Sequence, residues 1–117
     1  MKLKNLLIAG LMVVATIGAV GAVQAGDARL FVRHEVADYG VWRKAFDAFA
    51  PTARKSGAIN GAVYRSADNA NDVTVTHDFH SVEKAKAFAA LPELKAAMEK
   101  AGVKGAPQIW ITTRSMK

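Results

Sequence analysis

Arg29-Leu-Phe-Val-Arg-His-Glu-Val36 alternates strictly, with Leu30, Val32, His34 and Val36 on one side and Phe31, Arg33 and Glu35 on the other. A period of two marks a half-buried strand. Immediately after it the period changes. Asp38 offers a capping oxygen, and Tyr39, Trp42, Phe46, Phe49 and Ala53 recur every three or four residues, opposite Arg43, Lys44 and Asp47. That spacing predicts an amphipathic helix ending near Gly57. A strand and a helix with one apolar face each must bury those faces together, which points to a layered α+β domain. Pro51 lies inside the helical pattern, where its ring crowds the carbonyl four residues back, so a kink or restart is expected near Phe49 and Ala50.

Further along, Gly57 and Gly61 bracket a turn into a strand over residues 62–66, and the polar loop 67–72 leads into a strand over 73–79. In the latter Val73, Val75, His77 and Phe79 oppose Thr74, Thr76 and Asp78, again the pattern of a half-buried strand. Ser81 can cap a helix carrying Val82, Ala85 and Phe88, and Pro92 suits the first turn of a continuation through Leu94, Ala97, Met98 and Ala101. Gly102 stops that continuation. The last strand is expected over 108–113. Strand, helix, strand, strand, helix, strand folds, with right-handed crossovers, into a ferredoxin-like βαββαβ domain: a four-stranded antiparallel sheet with both helices on one face. The other face, carrying Phe31 or Trp110, calls for a second subunit.

The first residues carry a different message. Lys2 and Lys4 precede an apolar run from Leu6 to Val23, which closes on Val23-Gln24-Ala25, small side chains where a signal peptidase requires them. Residues 1–25 are expected to be a cleaved signal peptide, leaving 26–117 as a single exported, periplasmic domain with no stable membrane insertion. Gly10, Gly18 and Gly21 weaken the run as an uncleaved anchor. The 117 residues contain no cysteine, which excludes a lipoprotein, a disulfide scaffold and a cysteine-ligated metal. Of the formal charge of +6, Lys2 and Lys4 leave with the signal. The remaining basic residues are interleaved with acids rather than gathered into a stripe, so nucleic acid is not an expected partner.

Val36-Ala-Asp-Tyr-Gly-Val-Trp-Arg-Lys-Ala-Phe-Asp47, Val63-Tyr-Arg65, the segment from Glu83 to Phe88, Leu91-Pro-Glu-Leu-Lys-Ala-Ala-Met98 and Ala101-Gly-Val103 together resemble the dimeric α+β barrel superfamily. Within it they are most similar to small domains like the antibiotic-biosynthesis monooxygenases. The resemblance spans about residues 29 to 113 and lies in core and helix positions rather than in a catalytic signature. It implies two ferredoxin-like subunits paired sheet to sheet, each with a pocket between sheet and helices. Members include cofactor-independent oxygenases of polycyclic phenols, haem-degrading enzymes, muconolactone-isomerase-like proteins and stress-responsive barrels. The haem-degrading members hold iron through a histidine on the second helix, and residues 82–101 contain none. No cofactor is therefore expected.

His34 and His77 each interrupt the apolar side of a strand. Pairing strand midpoints places 34 opposite about 75 and 32 opposite about 77, which makes the imidazoles diagonal neighbours able to share a ligand or a water; a slip of two residues separates them. They can move a proton or orient a phenol or enol, or they can be core histidines bonded to Tyr, Thr or backbone. His77 and His80 are three apart on a strand and point to opposite faces, so no metal site is expected. The aromatic stripe can be core alone, or Trp42 and Phe46 can wall a pocket that Tyr64 completes. Trp110 can complete the same wall or, being of opposite parity to Ile109 and Ile111, lie instead in the subunit interface. Arg65 can hold an anionic group or pair with Asp72 across the hairpin. A nucleophile elbow, a phosphate-binding glycine loop and a dinucleotide fingerprint are all missing.

Three functions follow. One is an exported homodimer binding a small apolar or aromatic molecule through His34, Trp42, Phe46, Tyr64 and His77. A second is a cofactor-independent monooxygenase or isomerase of a phenolic or enolic substrate in the same pocket, with His77 or His34 catalytic. The third is a stress-related structural dimer with no ligand.

Overall fold

The computed structural model describes residues 27–115. The segment expected to direct export, 1–25, lies outside them. Strand β1 (Ala28–Val36) leads into helix α1 (Tyr39–Lys55), then the hairpin β2 (Ile59–Arg65) and β3 (Asp72–Phe79), helices α2 (Val82–Ala89) and α3 (Pro92–Lys100), and strand β4 (Val103–Thr113). The sheet order is β2-β3-β1-β4, and every neighbouring pair is antiparallel. This is the ferredoxin-like α+β fold expected from the order of elements.

The alternation in β1 is realised residue by residue. Ala28, Leu30, Val32, His34 and Val36 are buried, whereas Arg29, Arg33 and Glu35 are exposed. Leu30, Val32, Phe79, Ala85, Phe88 and Ala53 form one part of the core between sheet and helices, and Val36, Trp42, Val73, Val75 and Ala101 form the other. The Asp38 carboxylate accepts the Val41 N–H at 3.0 Å and so caps α1. Ser81 caps α2 by accepting from Lys84 N–H at 3.2 Å. The helix predicted to continue past Pro92 is instead a separate α3, with Leu91 extended before it. Gly102, at φ 86°, stops it in the left-handed region that favours glycine.

Three local expectations need correction. Pro51 does not break α1, which runs unbroken through it. Pro51 and Asp47 are both exposed, so the carbonyl deprived of its N–H partner lies on the side open to water. Gly61 is not a turn residue but part of β2. And β4 begins at Val103, five residues earlier than its alternation suggested, because Gly105 and Pro107 interrupt the pattern within an edge strand, where both are tolerated.

Among the described residues no helix covers the second face of the sheet. There Phe31 and Trp110 stack at 5.0 Å with rings 2° from parallel. Arg29 donates twice to Asp78 (2.7 and 3.1 Å), and Arg33 twice to Asp72 (3.0 and 2.7 Å). Among the described residues no helix is long and apolar enough to cross a membrane.

Candidate functional site

Between the sheet and the helices lies a cavity of about 60 Å³. Its walls come from Val32, His34, Val75 and His77 of the sheet, Trp42, Phe46 and Phe49 of α1, Phe88 of α2, and Leu94 and Met98 of α3. The alternation of β1 and β3 and the helical spacing of α1 together bring four of the residues expected in a site to this cavity: His34 and His77 from the strands, Trp42 and Phe46 from the helix. The fifth, Tyr64, is elsewhere. It pairs with Thr74 on the uncovered face and is exposed, because its parity on β2 is the opposite of Val63. Trp110 also lies on the uncovered face.

The expected pairing of the histidines is off by one step. His34 pairs with Val73 and His77 with Leu30, a shift of two residues that keeps both imidazoles on the helix side but moves them apart along the strands. The rings of α1 fill the interval. His34 meets Trp42 edge-on at 5.6 Å, Trp42 stacks on Phe46 at 5.0 Å, and Phe46 lies parallel to His77 at 6.0 Å. Phe88 closes the far side of His77 at 5.7 Å.

His34 is 6% exposed, and its Nδ1 is buried without a hydrogen-bond partner among the described residues. A buried polar atom left unsatisfied is costly and uncommon in native structures. Burial disfavours the charged imidazolium and pushes both His34 and His77 below the ordinary 6.5; the backbone of His34 itself and the Asp72 charge oppose this only in part for His34, as the Asp78 charge does for His77. Each ring is therefore neutral near neutral pH, with one nitrogen able to donate and one able to accept.

Both histidines stand opposite irregularities in the edge strands. Arg33 pairs with Gln108 and Glu35 with Lys104, so Gly105, Ala106 and Pro107 together oppose His34. Ile59 pairs with Asp78 and Ala62 with Thr76, so Asn60 and Gly61 together oppose His77. Such bulges locally open a sheet and re-aim side chains. Strand alternation alone could not have located them; the glycines at 61 and 105 were the available signal.

His80, exposed at the end of β3, contributes nothing to the cavity. Among the described residues no group of three or more His, Asp or Glu side chains is placed to hold a metal ion. Arg65 does not pair with Asp72, which is taken by Arg33. Instead it donates to the Ala70 carbonyl at 2.9 Å and lies 3.7 Å over the Tyr39 ring.

No protein-family model matches the chain, and no curated protein matches it in sequence. Solved structures do share its architecture. A protein described as a candidate antibiotic biosynthesis monooxygenase from Bordetella bronchiseptica superposes with a TM-score of 0.65 at 13% identity, over 76% of this chain and 97% of its own. The fold is that of the antibiotic-biosynthesis-monooxygenase-like domains. A second such protein, from Caulobacter crescentus, gives 0.62 at 19% identity, covering 81% of this chain and 95% of the other. SnoaB, a cofactor-independent oxygenase from Streptomyces nogalater, gives 0.62 at 16% identity, covering 78% and 96%. At these identities the likeness is one of fold.

Proposed function

We propose that the protein is exported and, as a homodimer, binds a small, largely apolar or aromatic molecule between its sheet and its helices. The observation that carries this reading is the buried, unpartnered Nδ1 of His34 at the wall of an apolar cavity. A hydroxyl or carbonyl on the bound molecule would satisfy it, while Trp42, Phe46 and Phe88 provide the apolar contact. The uncovered sheet face, with Phe31 stacked on an exposed Trp110, supports pairing of two subunits through it. Export rests on Lys2, Lys4, the apolar run and the Ala25 cleavage pattern.

A second reading is favoured by the neutrality of both imidazoles. A cofactor-independent oxygenase or isomerase needs a base to take the proton from a phenol or enol, giving imidazolium and an electron-rich anion. In an oxygenase that anion reacts with dioxygen; in an isomerase it regains the proton at another carbon. His77 or His34 is the base, and the aromatic wall keeps water from competing.

Native mass spectrometry of protein purified from the exported fraction tests the first reading. Two chains beginning at Gly26 with a discrete small adduct are expected. A monomer removes the dimer, and retention of residues 1–25 removes cleavage. A bare dimer that binds no member of a panel of phenols, quinones and naphthalenes leaves the ligand-free structural dimer in its place. Turnover of a bound phenol that is lost in a folded His77→Ala variant favours the enzyme.

A further inference from the structure

The cavity is too small for the molecule it is proposed to bind. About 60 Å³ accommodates a water or a polar head group, whereas a benzene ring needs a cavity of about 150 Å³. Beside it, α1 and β2 bound an open groove of about 460 Å³, a size typical of small-molecule sites. Cavity and groove share Phe46, Phe49 and His77. The remaining wall of the groove is apolar along Ala50, Ala53 and Ile59, with Arg54 as its charged residue. It has no acidic lining residue, and Arg54 makes no ion pair among the described residues.

The bulge in β2 explains why His77 is reachable from this groove. Asn60 takes φ 53° and its amide donates to Asp78 at 3.2 Å, which anchors the bulge to β3. Gly61 does not itself need the left-handed region, since its φ is not positive. The space is what favours glycine there: a Cβ at 61 would stand 3.2 Å from both Nδ1 and Cε1 of His77, tight enough that the ring would have to shift. Any side chain would lie across the imidazole edge.

Resting on the binding reading above, we propose that the α1–β2 groove is the outer half of the ligand site and that Gly61 is the residue holding His77 open to it. The occupant is an aromatic or apolar molecule whose polar head passes Gly61 to His77 and whose anionic end meets Arg54. Specificity then depends on what fits between Ala50 and Gly61.

The test uses two fluorescent naphthalenes, anionic 8-anilinonaphthalene-1-sulfonate and neutral N-phenyl-1-naphthylamine, with diethylpyrocarbonate labelling of histidines read by peptide mass spectrometry. Gly61→Val should weaken both probes about tenfold or more and slow labelling of His77 by a similar factor, with exposed His80 labelled at the wild-type rate. Ala50→Trp fills the groove from the helix and leaves the sequence of β2 unchanged, and should weaken the probes likewise. Arg54→Glu should weaken the sulfonate and spare the neutral amine. Probes that bind Gly61→Val and Ala50→Trp as they bind wild type overturn the groove. Equal loss of both probes in Arg54→Glu overturns the anionic end. Wild-type protein that binds neither probe, while Gly61→Val still slows His77 labelling, overturns the binding reading and leaves the opening at Gly61 standing.

Discussion

His34 and His77 face the same side of the sheet from adjacent strands, yet the strand partner of His77 is Leu30. The two histidines are thus offset by roughly 13 Å of strand, and the stacked Trp42 and Phe46 occupy the interval. They cannot act on one atom. His77 borders both cavity and groove, while His34 lies at the cavity's other end. In the proposed function they have different tasks: His77 meets the molecule first, and His34 receives whatever polar group penetrates furthest.

Replacing His34 by phenylalanine separates these tasks from stability. The ring is kept against Trp42, while the unsatisfied Nδ1 is removed. His34→Phe is expected to hold or raise unfolding stability, by about 1 kcal/mol, because the orphaned polar atom costs on that order. Affinity for N-phenyl-1-naphthylamine should be kept and affinity for a hydroxylated naphthalene of the same size reduced. Urea unfolding and probe titration measure both. A marked loss of stability would mean that His34 is a satisfied core residue.

The proton affinities of the two histidines predict a pH dependence of stability. Burial lowers both below 6.5 in the folded protein, so below that value the unfolded chain binds more protons than the folded one. Stability is therefore full above pH 6.5 and falls as the pH drops from there toward each folded value. A His34→Phe/His77→Phe double variant should be flat over the same window, followed by urea midpoints between about pH 8 and pH 5. A second loss belongs to Asp72 and Asp78. Hydrogen bonds from Arg33 and Arg29 respectively hold them below 3.8, so their contribution disappears only as the pH falls through more acidic values.

Phe79 and Phe46 sit on the same side of the sheet but should respond differently to truncation. Phe79 is fully buried in the core beside Leu30 and Phe88, so Phe79→Ala should cost about 3–5 kcal/mol. Phe46 is only half-buried and divides cavity from groove. Phe46→Ala should cost less and join the two spaces, admitting a bulkier probe. Chemical denaturation gives the first comparison, and the affinity ratio of pyrene to naphthalene derivatives gives the second.

The order of elements and the inward faces of β1 and β3 were legible because periods of two and of 3.6 are properties of local sequence. For the same reason Trp42 and Phe46 could be placed on the cavity side of α1. Register is not local. β1 and β3 pair without a break from Ala28↔Phe79 to Glu35↔Asp72, two residues away from a match of strand midpoints, and a slip of two leaves every side chain on its own face, so the alternation of either strand cannot tell the two registers apart. That is why His34 and His77 were placed on the correct face but at the wrong separation. Tyr64 was misplaced for a related reason: β2 is mostly half-exposed on both faces, so its sequence carries little alternation from which a side could be chosen.

The uncovered face yields the prediction on which the proposed assembly depends. Phe31 is half-buried against Trp110, which remains 42% exposed, and Tyr64 on the same face is 58% exposed. Aromatic side chains stranded on an open sheet are the residues expected at the centre of an interface. The Arg29–Asp78 and Arg33–Asp72 pairs already neutralise the charges nearest them, so a second sheet could cover this face without leaving those carboxylates unpaired. Trp110→Glu inserts an unpaired charge there, and burying it against a partner would be far more costly than leaving it in water. The variant should be a folded monomer by light scattering and far-ultraviolet circular dichroism, because Trp110 adds little to the core on the helix side. Wild-type thermal stability should rise with protein concentration, and that dependence should vanish in the variant, since only an associating fold is stabilised by mass action. A Trp110→Glu protein that remains dimeric would place the subunit contact on another surface and leave the Phe31–Trp110 stack as a feature of the monomer alone.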